Sequence, residues 1–276
     1  MTGRSARLRA AETLAAARLT GRDRAICEAL YEQRVLTSLQ VCELHFQSNY
    51  RARKRLLELH RLGVLDRFRP YRRQGSYPYH YLLDELGASV VANERGLEPR
   101  ELDWSRASSL KLASSSQLQH LVEANGFFTK LIEALRSRRG LALLDWWGQR
   151  RCAQAWGELV RPDGYCALAR NGDLLELCLE WDRGSEPLAR LTDKLVRYAE
   201  LEAALERTLT IAIVAPSDRR EREIHHALRS ESTRVLLTTA DRHTAHPLAA
   251  NWLISDAPLR TSLLDLTEHP ARLHQP

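Results

Sequence analysis

Apolar residues recur with two periods along this chain, and the change of period divides it. Over the first 65 residues the spacing is helical. In "GRDRAICEALYEQRVL", Ile26, Ala29 and Leu30 share one face, and Asp23 is placed as the N-cap. "TSLQVCELHF" follows after almost no loop and reads as a second helix capped by Thr37. "SNYRARKRLLELHRLG" predicts a third, starting near Ser48, stopping at Gly63, and facing Leu56, Leu59 and Leu62 inward. "VLDRFRPYRRQGSYPYHYLL" then carries two short β-prone runs around a basic, Gly-containing loop, after which "YHYLLDELGASVVA" starts another helix. Residues 88–117 are partly helical and end Ser-rich, which marks a connector. From Gln117 the order becomes helix, strand, strand–turn–strand, helix, strand, helix, strand. That alternation predicts an α/β (α+β) domain with a mixed sheet over residues 118–276.

Charge sharpens the first part. Residues 1–87 hold 16 Lys+Arg against 9 Asp+Glu, and the remainder holds 25 against 26. The positive field of this +6 chain therefore belongs to its first third, and it points to a polyanion. Three short helices followed by a basic hairpin is the order of a winged helix-turn-helix, expected over residues 1–87 with a basic N-terminal arm. Arg51, Arg53, Lys54 and Arg55 crowd the first turns of the third helix, the element that enters the major groove. Arg67, Arg69, Arg72 and Arg73 lie on the hairpin and would reach phosphates. Duplex DNA is the expected partner.

The five cysteines form no C-x-x-C pair and lie mostly among apolar residues, which fits reduced thiols in the cytoplasm. The ten histidines show no metal-ligand spacing. No run of 18 apolar residues could cross a membrane, and the basic N-terminal segment lacks the apolar stretch of a signal peptide. Only four residues are lysine against 37 arginines, so each lysine is informative.

Candidate chemistry sits in "RPDGYCALARNGDLLELCLEWDRGSEPLARLTDKLVRYAEL", residues 161–201. Asn171-Gly172 favours a two-residue type I′ turn. Flanked by Arg170 and Asp173, it makes paired residues sum to 343, which sets Asp163 opposite Glu180. Asp182 follows by two and would share their face, while Leu175, Leu177, Leu179 and Trp181 take the other. Facing carboxylates repel, and a divalent cation with a taste for oxygen, Mg²⁺ or Mn²⁺, would relieve that. Ser185 is the expected N-cap of the next helix, on which Leu191, Lys194 and Tyr198 form a stripe towards the sheet. A lysine there could stabilise charge beside the metal. Solvated strand-end acids and a Lys194 paired with Glu186 or Asp193 are the plainer reading of the same residues.

"RPDG", "LEWD" and the later Lys resemble the PD-(D/E)XK nuclease superfamily over residues 117–240. With the preceding helices and hairpin, the chain resembles the actinobacterial plasmid replication-relaxation family. That resemblance implies a PD-(D/E)XK nuclease-like second domain, Asp163 and Glu180 as metal ligands, and a role in replication and DNA relaxation at a plasmid origin. It extends the candidate partners to a second copy and to other replication or conjugation proteins. The superfamily's lysine falls two residues after the Glu, where this chain has Asp182. Either Lys194 replaces it from the helix, which leaves Asp163, Glu180, Asp182 and Lys194 as the catalytic set, or the domain only binds DNA. Glu123 or Glu133 could add a carboxylate; the sequence does not choose between them.

Overall fold

The computed structural model describes residues 18–228, 235–254 and 259–268. The basic N-terminal arm expected before Arg18 lies outside them. The chain divides into two compact units, Met1–Val122 and Glu123–Pro276.

In the first unit, α1 (Gly21–Gln33), α2 (Ser38–His45) and α3 (Asn49–Arg61) are the three expected helices. Two of them open with reciprocal capping boxes. Thr20 caps α1 and Asp23, three residues on, returns its carboxylate to the Thr20 N–H at 2.7 Å. Asp23 is therefore not the N-cap. The Thr-x-x-Asp pair satisfies two orphan N–H groups at once, which a lone Asp23 cap could not. Thr37 and Gln40 repeat the device at α2. Ala52, Leu56 and Leu59 bury the inner face of α3; Leu62, at the C-cap, is only half-buried. Gly63, at φ +74°, takes the left-handed conformation that ends the helix.

β2 (Leu65–Phe68) and β3 (His80–Leu83) pair antiparallel, and the two residues of β1 (Leu36–Thr37) add to β3, giving the order β1-β3-β2. The basic residues 69–79 link β2 to β3. Next come α4 (Glu85–Glu94), a short 3₁₀ turn (Pro99–Glu101), α5 (Arg106–Ala113) and α6 (Leu118–Leu135), whose first turn closes this unit.

The second unit is mixed α/β around a seven-stranded sheet in the order β10-β9-β8-β7-β6-β5-β4. β4 (Leu141–Gly148), β5 (Gly164–Arg170) and β6 (Asp173–Trp181) form an antiparallel meander. β7 (Thr210–Ala215) and β8 (Val235–Thr239) then run parallel to β6. Their crossovers carry α8 (Leu188–Leu205) and α9 (Asp218–Ala227). A final antiparallel pair, β9 (Trp252–Ile254) and β10 (Arg260–Thr261), follows α10 (Ala240–Ala245), and α11 (Leu263–Glu268) comes last.

Both sheet faces are buried. Leu191, Leu195 and Tyr198 of α8 pack with Tyr165, Cys178, Ile211 and Ile213 on one. Phe127 and Phe128 of α6 pack with Leu177, Leu179 and Trp252 on the other. α8 starts at Leu188, capped by Pro187, and not at Ser185. Pro187 keeps Glu186 out of the α region, so the helix cannot run continuously from Ser185. The helix α7 (Gln149–Trp156), between β4 and β5, was not foreseen.

Candidate active site

The β5–β6 hairpin has the register its turn dictates. Arg170 pairs with Asp173 and Gly164 with Leu179, while Asn171 (φ 51°) and Gly172 (φ 96°) both take the positive φ of a type I′ turn. One residue beyond the ladder, the Asp163 N–H still donates to the Leu179 carbonyl at 2.9 Å. Asp163 thus stands opposite Glu180.

Gly164 fixes the strand entry. A Cβ there would lie 2.4 Å from the Phe128 ring, so the residue after Asp163 must be glycine. With Gly164 against Phe128 on one face, Asp163 projects to the other, the α8 side that Glu180 also takes.

Glu180 is buried, at 4% exposure, and held at both oxygens. Lys194 Nζ donates to Oε2 at 2.6 Å, and Tyr198 OH donates to Oε1 at 2.6 Å. The spacing of 194 and 198 on α8 delivers both donors to one carboxylate. Burial pushes the Glu180 carboxyl up to about 7, against the pull of Lys194, and the Asp163 charge adds to the rise. Burial alone would lower the Lys194 ammonium, but the Glu180 charge and hydrogen bond, with the Glu186 and Asp163 charges, together outweigh it and keep lysine protonated. Burial, and then the Glu180 charge, raise the Tyr198 phenol well above its usual value, so it stays a donor. Asp163 is anchored separately: Oδ2 accepts from the Trp181 N–H at 2.9 Å and Oδ1 from Gln149 Nε2, at the start of α7, at 3.4 Å.

Asp182 is engaged elsewhere. Its Oδ2 accepts from Arg220 Nε at 2.6 Å and its Oδ1 from the Gly184 N–H at 2.8 Å. Arg220 also bonds the Glu186 carbonyl, so this pair ties the end of β6 to α9 and the loop before α8. Neither expected pairing of Lys194, with Glu186 or Asp193, replaces its bond to Glu180. Of the two further acids considered, Glu123 accepts from Trp181 Nε1 at 3.1 Å, whereas Glu133 pairs with Lys130 at 3.0 Å. Tyr198, Gln149 and Arg220 are contributors that sequence reasoning did not assign. Tyr198 was visible on the Lys194 stripe, but its partner was not.

Among the described residues no three His, Cys, Asp or Glu side chains form a metal cage. Two carboxylates of adjacent strands do fit a hard cation of the Mg²⁺ type, which is commonly held by one or two carboxylates while water and substrate phosphate complete its shell. Each carboxylate offers about four lone-pair sites, so the bonds from Lys194 and Tyr198 leave capacity on Glu180. Beside Lys194 opens a cleft of about 590 Å³, lined by residues 157–161 and by Glu186, Arg190, Asp193 and Arg197.

In the first unit the basic residues separate into two kinds. Arg51, Arg53 and Lys54 are exposed on α3, as are Arg69, Arg72 and Arg73 beyond β2. Arg67 and Arg69 both lie over the Tyr79 ring, at 4.3 and 4.0 Å. Arg55 is engaged within the unit. It clamps buried Asp23 through Nε (2.9 Å) and Nη2 (2.7 Å) and pairs with Glu58 at 2.8 Å. The helix spacing that set Arg55 beside Arg51 also aims it at α1.

The replication-relaxation family model matches residues 28–211, two thirds of the chain, from α1 to the first residues of β7. The chain belongs to the replication-relaxation family. The matched span of this replication-relaxation protein includes Asp163, Glu180, Lys194 and Tyr198. No curated protein matches the chain. The solved structure of the restriction endonuclease FokI is similar at 13% identity and a TM-score of 0.30, over 80% of this chain and 43% of that one, a likeness too distant to assign chemistry. The chain spans less than half the length of FokI. Among the described residues of this replication-relaxation family member, no helix is long and apolar enough to cross a membrane.

Proposed function

We propose that the chain acts on plasmid or other mobile-element DNA in replication and relaxation. Its first unit holds duplex DNA as a winged helix-turn-helix, and its second unit breaks a phosphodiester bond at Asp163 and Glu180 with Mg²⁺ or Mn²⁺. The observation that carries this reading is the convergence on Glu180: a carboxylate from the facing strand, a lysine and a tyrosine from one helix. Such a cluster of buried, perturbed groups beside a cleft is a mark of functional sites.

In the first unit, α3 with exposed Arg51, Arg53 and Lys54 would enter the groove, and Arg67, Arg69, Arg72 and Arg73 would follow the backbone. Both Arg67 and Arg69 lie over the Tyr79 ring, which positions the two cations together on one side of the β2–β3 link.

In the second unit Asp163 and Glu180 would hold the cation, which when bound supplies a Lewis acid for the phosphate and acidifies water. Tyr198 fixes the Glu180 rotamer. Trp181 and Gln149 fix Asp163. Lys194, whose side chain is 28% exposed, presents a compact ammonium to negative charge developing on phosphate oxygens. Because its pKa is raised, it serves there as a cation and not as a base. Asp182, engaged by Arg220, positions the loop before α8.

A second reading has its own observation. Both Glu180 oxygens are already bonded, as in a structural ion pair, and the superfamily's lysine position holds Asp182. That favours a DNA-binding protein whose nuclease-like fold is not catalytic. Incubation of supercoiled plasmid with the full chain and Mg²⁺ or Mn²⁺, with an EDTA control, separates the two. Metal-dependent conversion to open circles, lost in Glu180→Gln and Asp163→Asn, is the expected result. Plasmid left intact under every metal sinks the catalytic reading.

A further inference from the structure

The 590 Å³ cleft beside Lys194 has more structure than a metal site needs. One wall is a single face of α8: Arg190, Asp193, Lys194 and Arg197, at i, i+3, i+4 and i+7. The opposite wall is the turn from α7 to Asp163, residues 157–161, which brings Arg161. Four cations thus line the cleft against three acids, Glu158, Glu186 and Asp193. Arg161, Arg190 and Arg197 are exposed, and Arg161 Nε is positioned by the Gly157 carbonyl at 3.2 Å.

We infer that this cleft seats the sugar-phosphate backbone of one DNA strand, with Arg161, Arg190 and Arg197 on phosphates that flank the one presented to Lys194 and Glu180. The inference rests on the reading of the second unit as acting on DNA, and it adds a binding track that the acids alone do not imply.

Geometry supports a strand rather than a small anion. Arg190 and Arg197 lie seven residues apart, which is about 10 Å along a helix axis, and a strand advances about 3.4 Å per phosphate. The cation row therefore spans about three such steps, the reach of several consecutive phosphates, with Lys194 between the outer arginines. A single phosphate would need its cations converged on one point, which residues spread over two helical turns cannot offer. Arginine suits the outer positions because its planar fork binds phosphate bidentately. Lysine at the centre is the compact charge that fits beside a metal-held phosphate.

The test is a binding measurement that does not depend on cleavage. Affinity of the full chain for a duplex oligonucleotide is followed by anisotropy in EDTA across a salt series, for wild type, Arg190→Ala/Arg197→Ala and Arg190→Lys/Arg197→Lys. Each lost phosphate contact lowers the log–log salt slope by about 0.9. The alanine pair should lower it by about 1.8, and the lysine pair should keep most of it because the charge remains. Equal thermal melting of the three proteins shows that folding is not the cause. A slope in the alanine pair within about 0.3 of wild type overturns the inference even if the plasmid is cut. An inert plasmid with the expected slope change overturns the catalytic reading alone and leaves the track in place.

Discussion

Asp163 accepts the backbone N–H of Trp181 at 2.9 Å, so the acid that begins one strand is fastened to the residue just after Glu180 on the next. The bond holds the two carboxylates together at the open end of the β5–β6 hairpin, although they repel. It also separates two roles of Asp163 that substitutions can tell apart. Asn keeps the acceptor and loses the charge. Ala loses both.

Asp163→Asn should therefore fold as wild type and lose plasmid nicking to background. Asp163→Ala should lose nicking and also about 2 kcal/mol of stability, the scale of a hydrogen bond to a charged acceptor. Urea unfolding alongside the plasmid assay reads both. Equal stability of the two variants would mean that the Trp181 bond holds nothing.

Lys194 and Glu180 should behave as a coupled pair. Lys194→Met leaves buried Glu180 with one donor and should cost about 3 kcal/mol, at the low end for a broken buried pair because the lysine side chain is 28% exposed. Adding Glu180→Gln removes the carboxyl left without its partner, so the double variant should recover more than 1 kcal/mol, roughly, relative to the sum of the singles. Lys194→Arg should keep stability and DNA affinity yet reduce nicking about 100-fold, the scale of one lost electrostatic stabiliser. Additive singles would show that the pair is not energetically linked.

On α3, neighbouring arginines should give opposite phenotypes. Arg55→Ala uncovers Asp23, whose side chain is 1% exposed, and should cost about 3 kcal/mol. Burial opposes the Asp23 charge, but the hydrogen bonds from Arg55 and Thr20 prevail and hold its carboxyl below the usual range. The triple change Arg51→Ala/Arg53→Ala/Lys54→Ala should leave stability within about 0.5 kcal/mol and reduce the salt slope of DNA binding by about 2 to 3. A stable Arg55→Ala protein with a comparably reduced slope would return Arg55 to the DNA surface.

A core histidine should set an acid limit on the second unit. His243 lies stacked on Phe127 at 4.1 Å, with Nε2 bonded to the Phe127 carbonyl at 2.9 Å, and burial lowers it to about 4. The unfolded chain takes up this proton near pH 6.5 and the folded chain only near 4. Stability is therefore lost as pH falls through that window, by about 3 kcal/mol in total. Urea midpoints from pH 7 to 4, compared with those of His243→Phe, isolate the effect. The same pH dependence in both proteins would assign it to other groups.

What could be read from the sequence was what local rules determine. Asn171-Gly172 fixed the register of β5 and β6, and through it the Asp163–Glu180 pairing, because a type I′ turn has one geometry and a strand has period two. Helix spacing likewise set Lys194 and Tyr198 on one stripe. Long-range partners stayed hidden. Arg220 takes Asp182 from 38 residues away, and Arg55 takes Asp23 from 32, and no periodicity encodes either meeting. The short helix α7 was overlooked because "QRRCAQAW" buries only Cys152 and Trp156, too few apolar positions to show a period. The end of the sheet was illegible for a similar reason: β9 and β10 have three and two residues.

The two-residue turn at 171–172 works as a ruler. One inserted residue there would advance β6 by one step against β5, turning Glu180 towards the phenylalanine layer and Leu179 towards Lys194. No side-chain substitution elsewhere could undo that half-rotation. Lengthening the 69–79 segment moves no carboxylate. Variants of this protein with altered loop lengths should accordingly tolerate insertions between β2 and β3 and reject them between β5 and β6.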